Sequence, residues 1–229
     1  MIEVLVAVAI SSIILVAINS LFHKQIVSHN TQRQVVSMQR NVRAALSFME
    51  SDIRMAGYDP TGTSGAAILI ANGAQLRFQS NLDQNETIGA GETIAYALDN
   101  DADGDGISNG LLDGTPCNLV RDNNDGNGFQ TVSKNIDALN FDYFDAGGNS
   151  LTDKSVTPWV VPAAQIANIS SIQVSIIARS GTSIPVFFDR YTDNIVYRNR
   201  NNHIILPAQN DVFRRMQLTS EIDCRNHGI

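Results

Sequence analysis

From Val4 to Phe22 the chain contains no charged residue, no glycine and no proline, and no other stretch restricts its fold as much. A helix over these residues, rising about 1.5 Å per residue, covers roughly 28 Å, close to the hydrocarbon thickness of a bilayer. The apolar region of a signal peptide is shorter, about 7 to 15 residues, and ends in a small-x-small cleavage site. A buried helix of a soluble domain is the other alternative. Ser11, Ser12, Asn19 and Ser20 leave one stripe of the run weakly polar, and both of its ends open onto hydrophilic sequence.

Glu3 precedes this run, and a carboxylate at the edge of hydrocarbon needs either the headgroup layer or a partner. As an acidic residue in the first helical turn it also complements the helix dipole. The apolar stretch offers no cation, so a partner would be an amino terminus, its own or that of a neighbouring subunit.

The helical signal continues past the run. Val35, Met38, Val42, Ala45, Met49, Ile53 and Ala56 recur at spacings of three and four, which draws one apolar seam along a helix. No glycine occurs before Gly57 and no proline before Pro60, a normal helix stop. The spacing predicts one helix of about 55 residues, roughly 80 Å long.

Composition changes after it. Residues 57 to 229 hold 11 of the 16 Lys and Arg but 20 of the 23 Asp and Glu, a net charge near −9, so nucleic acid is excluded as an expected partner. Short alternating segments between Gly-, Asn- and Asp-rich stretches argue for antiparallel sheet with long polar loops. Expected strands are Gln75 to Ser80, Glu92 to Leu98, Asn118 to Arg121, Asn135 to Asp145, Ile169 to Ser180 and Arg214 to Arg225. In the last, Met216, Leu218, Ile222 and Cys224 share one face; Ile172, Val174 and Ile176 alternate with Gln173 and Ser175 in the same half-buried manner.

Ile2-Glu3-Val4-Leu5-Val6-Ala7 ahead of a long apolar helix resembles the mature start of type IV pilins and type II secretion pseudopilins. Ser47 to Asp59, Ser133 to Gly148 and Phe213 to Asn226 are similar to the helix end, a middle strand and the closing tail of the PilW-like (pseudopilin-J-like) minor pilins. The resemblance implies an α+β lollipop: a membrane or assembly half of the helix (1–23), an amphipathic half (24–57), and a periplasmic β-rich domain (58–229) with an antiparallel sheet. It further implies that Glu3 corresponds to the glutamate that neutralises the N-terminal amine of an adjacent subunit. The implied function is a minor-pilin structural subunit that primes or caps a type IV pilus, with the minor pseudopilin of type II secretion as alternative; apart from the resemblance, a membrane-anchored, calcium-stabilised periplasmic binding or adhesion module is a further alternative. The implied partners are other minor and major pilins, inner-membrane lipid and a prepilin peptidase. A basic leader, its cleavage glycine and the first two mature residues are expected upstream of Met1, because the flanking charges, Glu3 before the span and Lys24 after it, would orient this fragment backwards.

Asp99, Asp101, Asp103 and Asp105, followed by Gly106, Ile107, Asn109 and Asp113, are the strongest small-ligand signal. Carboxylates at alternate positions before a glycine let a tight loop turn oxygens onto a hard cation that takes six to eight of them, so Ca2+ is the expected ion. Leu112 stands where an EF-hand has its bidentate Glu. A solvated acidic turn is the alternative, since Asn, Asp and Gly favour turns in any case. Asp122 to Gly128 reads as a hairpin loop. Cys117 and Cys224, an even pair in a domain expected outside the cytoplasm, are expected to form a disulfide; the alternative is two buried thiols. His23, His29, His203 and His227 are scattered, and no nucleophile elbow or phosphate loop occurs, so no enzymatic activity is expected.

Overall fold

The structure, a computed structural model, describes residues 1–111, 115, 117–181 and 191–226. Helix α1 spans Ile2–Ile53 without interruption, because nothing in its sequence breaks the backbone ladder before Gly57. There φ reaches +74°, a conformation glycine adopts at little cost, and the Gly57 N–H turns away to donate to the Gln79 carbonyl at 2.9 Å. Met38, Val42, Ala45, Leu46, Met49 and Ile53 are the buried helical residues, so the seam read from the spacing is the face on the sheet. Leu46 joins it.

Strands follow as β1 (Ile68–Ala71), β2 (Leu76–Gln79), β3 (Thr93–Leu98), β4 (Cys117–Asp122), β5 (Gln130–Phe144), β6 (Ser171–Arg179), β7 (Tyr197–Arg198), β8 (Ile204–Leu206) and β9 (Arg215–Asp223), with a 3-10 turn at Ala163–Asn168. Seven of them form one antiparallel sheet in the order β1-β2-β3-β4-β5-β6-β9, and β7 pairs with β8 in a separate hairpin. All six expected strands are present. The antiparallel pairing of β4 and β5 makes residues 123–129 a hairpin loop.

The helix covers one face of the sheet. Met49 and Ile53 pack with Leu76, Phe78, Tyr96, Leu119, Phe141, Tyr143, Val174 and Ile176 in one apolar cluster; fully burying a side chain of this size is worth about 1.5–3 kcal/mol. A second, smaller cluster of Ala138, Ile177, Tyr197, Ile205 and Leu206, with Ile107 and Trp159 against it, fills the opposite face. The β7–β8 hairpin and the loop after β3 thus form a third layer. For this reason β6 is buried at all nine positions rather than at every second one, as its alternation suggests. Its polar residues are covered and partnered: Gln173 accepts the Arg200 N–H at 3.2 Å and Ser175 bonds Thr219 at 2.9 Å.

Buried charge fastens this outer layer. Asp142, fully buried, accepts from Ser150 Oγ (2.9 Å), Thr152 Oγ1 (2.8 Å), Lys154 Nζ (2.9 Å), Asn199 Nδ2 (3.2 Å) and Asn201 Nδ2 (2.9 Å). Five donors on one carboxylate satisfy what burial would otherwise leave uncompensated. Arg215 does the same with three carboxylates, Asp137 at 2.6 Å, Asp193 at 3.0 Å and Asp211 at 2.6 Å.

The expected disulfide is corrected. Cys117 and Cys224 are both buried free thiols, and the register keeps them apart. Cys117 lies across from Ile136, Ile136 from Ala178, and Ala178 from Met216. Met216 precedes Cys224 by eight residues, about 26 Å of strand, whereas a disulfide needs Cα atoms within about 7 Å. The Cys117 thiol instead donates to the Asn100 carbonyl at 3.0 Å.

Candidate functional site

The sheet and its outer layer leave the first half of α1 untouched. Every residue from Met1 to Ile26 is exposed, including Ile2, Val4, Leu5, Ile13, Leu15, Leu21 and Phe22. The most apolar 18-residue window of the helix has a mean hydropathy of 2.5, and none of it is buried. A helix this long and this apolar, with no described residue of its own domain against it, is what a bilayer, or a bundle of other such helices, would cover. Among its polar residues, Ser12 needs no water: its Oγ donates to the Ala9 carbonyl at 2.8 Å, a back-bond that satisfies a hydroxyl inside its own helix.

Glu3 stands on this exposed helix beside Val4, Ala7, Val8, Ser11, Ser12 and Leu15, which line one shallow groove. Ala7 and Ser11, one turn apart, leave room for a neighbouring helix to approach. No hydrogen bond or ion pair joins Glu3 to any other described residue, so a charge partner would come from another molecule.

The amphipathic half is held on the sheet by more than its apolar seam. Asp52, in the last turn, accepts from the Tyr96 hydroxyl at 2.6 Å and from Arg121 Nε at 2.8 Å. This link is absent from the sequence reading, although one signal pointed to it. An acid in the last turn opposes the helix dipole and calls for donors from elsewhere.

The acidic residues after β3 form a folded loop. Asp101 accepts the N–H groups of Asp105 (3.1 Å) and Gly106 (2.9 Å), and Asp105 accepts that of Ile107 at 2.7 Å. Gly106, with φ at +82°, cannot be replaced: a Cβ there would lie 2.4 Å from the Leu139 carbonyl. Of the seven residues expected to hold calcium, Asp101, Asp103 and Asp105 are brought together, each offering an oxygen within 4.8 Å of the others. Asp99 is engaged elsewhere, its two oxygens accepting from the Asn118 N–H (2.7 Å) and Nδ2 (2.6 Å). Asn109 Oδ1 accepts the Ala102 N–H, Ile107 bridges to Ala138, and Asp113, like Leu112, lies outside the described residues. Burial first, and the neighbouring carboxylates after it, push the Asp101 and Asp105 carboxyls above the usual carboxylate range. Three convergent oxygens under mutual repulsion suit a hard cation.

The family model for prepilin peptidase-dependent protein B matches residues 31–158. Among solved structures, a type IV-like pilin from Thermus thermophilus is similar, with 10% sequence identity and a TM-score of 0.45 over 84% of this chain and the whole of that one. No curated protein matches the chain by sequence. The family match extends over more than half of the chain, from the amphipathic half of α1 through β5 and beyond; the chain belongs to the prepilin peptidase-dependent protein B family and is a type IV pilin-like protein associated with a pilus or pseudopilus.

Proposed function

We propose that the protein is a PilW-like minor pilin, a structural subunit that starts or caps a type IV pilus by placing its N-terminal helix in a bundle with other minor pilins and the major pilin. The observation that carries this reading is the wholly exposed, apolar half of α1 with Glu3 unpartnered at its head. In this role Glu3 neutralises the N-terminal amine of the adjacent subunit and so sets axial register. Before assembly the same half-helix anchors the chain in the inner membrane, with the β-domain in the periplasm and a prepilin peptidase acting on the precursor. A minor pseudopilin of type II secretion uses the same parts and is the alternative.

The test is recovery of the chain in sheared filaments or in detergent-extracted complexes with partner pilins. Glu3→Val is expected to reduce recovery several-fold while leaving membrane fractionation intact, since one carboxylate contributes little to anchoring. Equal recovery of Glu3→Val and wild type would instead favour a simple membrane anchor for a periplasmic binding module. Loss of pilus formation separates the pilin role from the pseudopilin role, in which secretion fails.

The convergence of Asp101, Asp103 and Asp105 favours one addition: the loop takes Ca2+ and the ion stiffens the outer layer of the domain. In this reading calcium is structural, and nothing catalytic is assigned to it.

A further inference from the structure

Between Glu3 and Glu50 the chain has no acidic residue, while Lys24, Arg33, Arg40 and Arg43 all fall in that interval. Arg33, Val36, Arg40 and Arg43 are separated by three, four and three residues, which places them along one side of α1, opposite the seam of Met38, Val42 and Met49. All four are exposed, Val36 to 47%, and no described carboxylate pairs with any of the three arginines. The domain they adjoin is strongly acidic.

Beside the same helix, a recess of about 580 Å3 lies between Phe48 and the β4–β5 loop, with Asp125, Gln130 and Val132 among its lining residues. Phe48 is 46% exposed. Asp122 and Asp125 make only local hydrogen bonds, to the N–H groups of Asn124 (2.8 Å) and Asn127 (3.0 Å), and no described basic side chain neutralises them. Among the described residues lining the recess, the one cation, Arg121, is already committed to Asp52 at 2.8 Å.

We propose that these two surfaces are complementary halves of a contact between two copies of this chain: the stripe of one copy seats in the recess of the second. Val36 packs on Phe48, and Arg40 and Arg43 meet Asp122 and Asp125. The inference rests on the assembly reading above and adds to its bundle a second copy of this chain, held through a surface outside the apolar half. Because the two patches differ, the contact is heterologous, running head to tail rather than closing a symmetric pair. With the helices parallel, a twelve-residue offset from Val36 to Phe48 staggers the copies by about 18 Å. Anionic lipid is a poor occupant, since Arg43 stands about 31 Å of helix beyond Phe22 and a surface potential fades within a Debye length. The net acidity of the chain disfavours nucleic acid.

Cysteine cross-linking of the full chain, reconstituted in zwitterionic liposomes with Glu3 intact, tests the contact. Mixed Val36→Cys and Phe48→Cys copies are expected to cross-link on mild oxidation, and either variant alone is not. Adding Arg40→Glu and Arg43→Glu to the Val36→Cys copy lowers the yield about ten-fold, and Asp122→Lys with Asp125→Lys on the Phe48→Cys copy restores it. Arg40→Gln with Arg43→Gln, giving a smaller loss, guards against misfolding of the reversed variant. Absence of the mixed cross-link, insensitivity to charge reversal, cross-linking by Val36→Cys alone, or a yield that appears only with anionic lipid or added DNA would overturn the proposal. Filament recovery that still depends on Glu3 in those cases would leave the assembly reading standing and remove this contact alone.

Discussion

The Tyr96 hydroxyl and the Asp52 carboxylate meet at 2.6 Å, which joins the last turn of the helix to the middle of the sheet. Tyr96 is fully buried, and its pKa is driven well above the ordinary tyrosine value by burial first and by the adjacent Asp52 charge, so it remains a donor at any physiological pH. Asp52→Ala leaves both Tyr96 and Arg121 without their acceptor and is expected to cost about 2–4 kcal/mol. Tyr96→Phe, which removes one neutral donor, costs about 1 kcal/mol. Urea unfolding of the chain in detergent checks both; equal losses would mean that the link is not organised around Asp52.

Arg215 is the larger risk. Its side chain is fully buried against Asp137 and Asp193, so Arg215→Met leaves Asp193 without a described cation and Asp137 with the more distant Arg179 at 3.4 Å, and is expected to destabilise by about 3–5 kcal/mol. Adding Asp137→Asn to Arg215→Met should recover part of that loss, which the same unfolding measurement reads.

The two thiols give a readout by mass. Burial pushes Cys224 up to about 12 and also raises Cys117, so iodoacetamide at pH 8 should leave the native protein unlabelled, because the thiolate is the reactive form. In denaturant without reductant both cysteines should label. Two unlabelled cysteines in denaturant would show a bond between them.

Glu92 accepts three backbone N–H groups, from Leu82 at 2.6 Å, Asp83 at 3.0 Å and Gly89 at 2.7 Å. The bonds from Gly89 and Asp83 hold its carboxyl below the usual glutamate range. A lowered folded-state pKa adds stability above the unfolded value, near 4.3, and that stability disappears as pH falls through the folded value. Glu92→Gln should therefore destabilise by about 1–3 kcal/mol at pH 7, with the gap from wild type narrowing below about pH 4. Thermal melts across pH 3 to 7 test this; a constant gap would exclude the ionised form as the cause.

At the acidic loop the sign is reversed. Asp101 and Asp105 are raised, so their ionised forms weaken the folded state, and this cost is present above the folded value and relieved as pH falls. Asp103→Asn should raise the melting temperature without calcium and abolish any rise with it. In wild type, calcium at a hundred times its dissociation constant should add about 2.7 kcal/mol. Stabilisation by calcium that persists in Asp103→Asn would place the ion elsewhere.

Much of this fold was legible because its strongest patterns are long. The seam from Met38 to Ala56 repeats often enough to identify both the helix and its buried side, and in β9 Met216, Leu218 and Ile222 alternate because they share the face on the main core, although Arg215 is buried on the other face. What escaped notice is either short or two-sided. β1 has four residues and β7 two, too few for a period, and β6 looked half-buried because its polar residues are satisfied beneath the hairpin rather than by water. At the acidic loop, composition pointed to a shared ion, but chain direction turned Asp99 onto Asn118. The cysteines show the limit most plainly. Parity suggests a bond, but only strand register shows that they sit eight residues out of step.

Among the described residues, the helix meets its domain from Gln34 onward. About 32 residues, roughly 48 Å, stand clear of it. A pull along that free rod would reach the sheet through the buried face from Met38 to Ile53 and through Asp52. Those contacts lie side by side along the axis, so the load is shared in shear and not peeled off one contact at a time. Mechanical failure should then come as the whole seam slipping at once, at forces set by its length and unrelated to the stability of the outer hairpin.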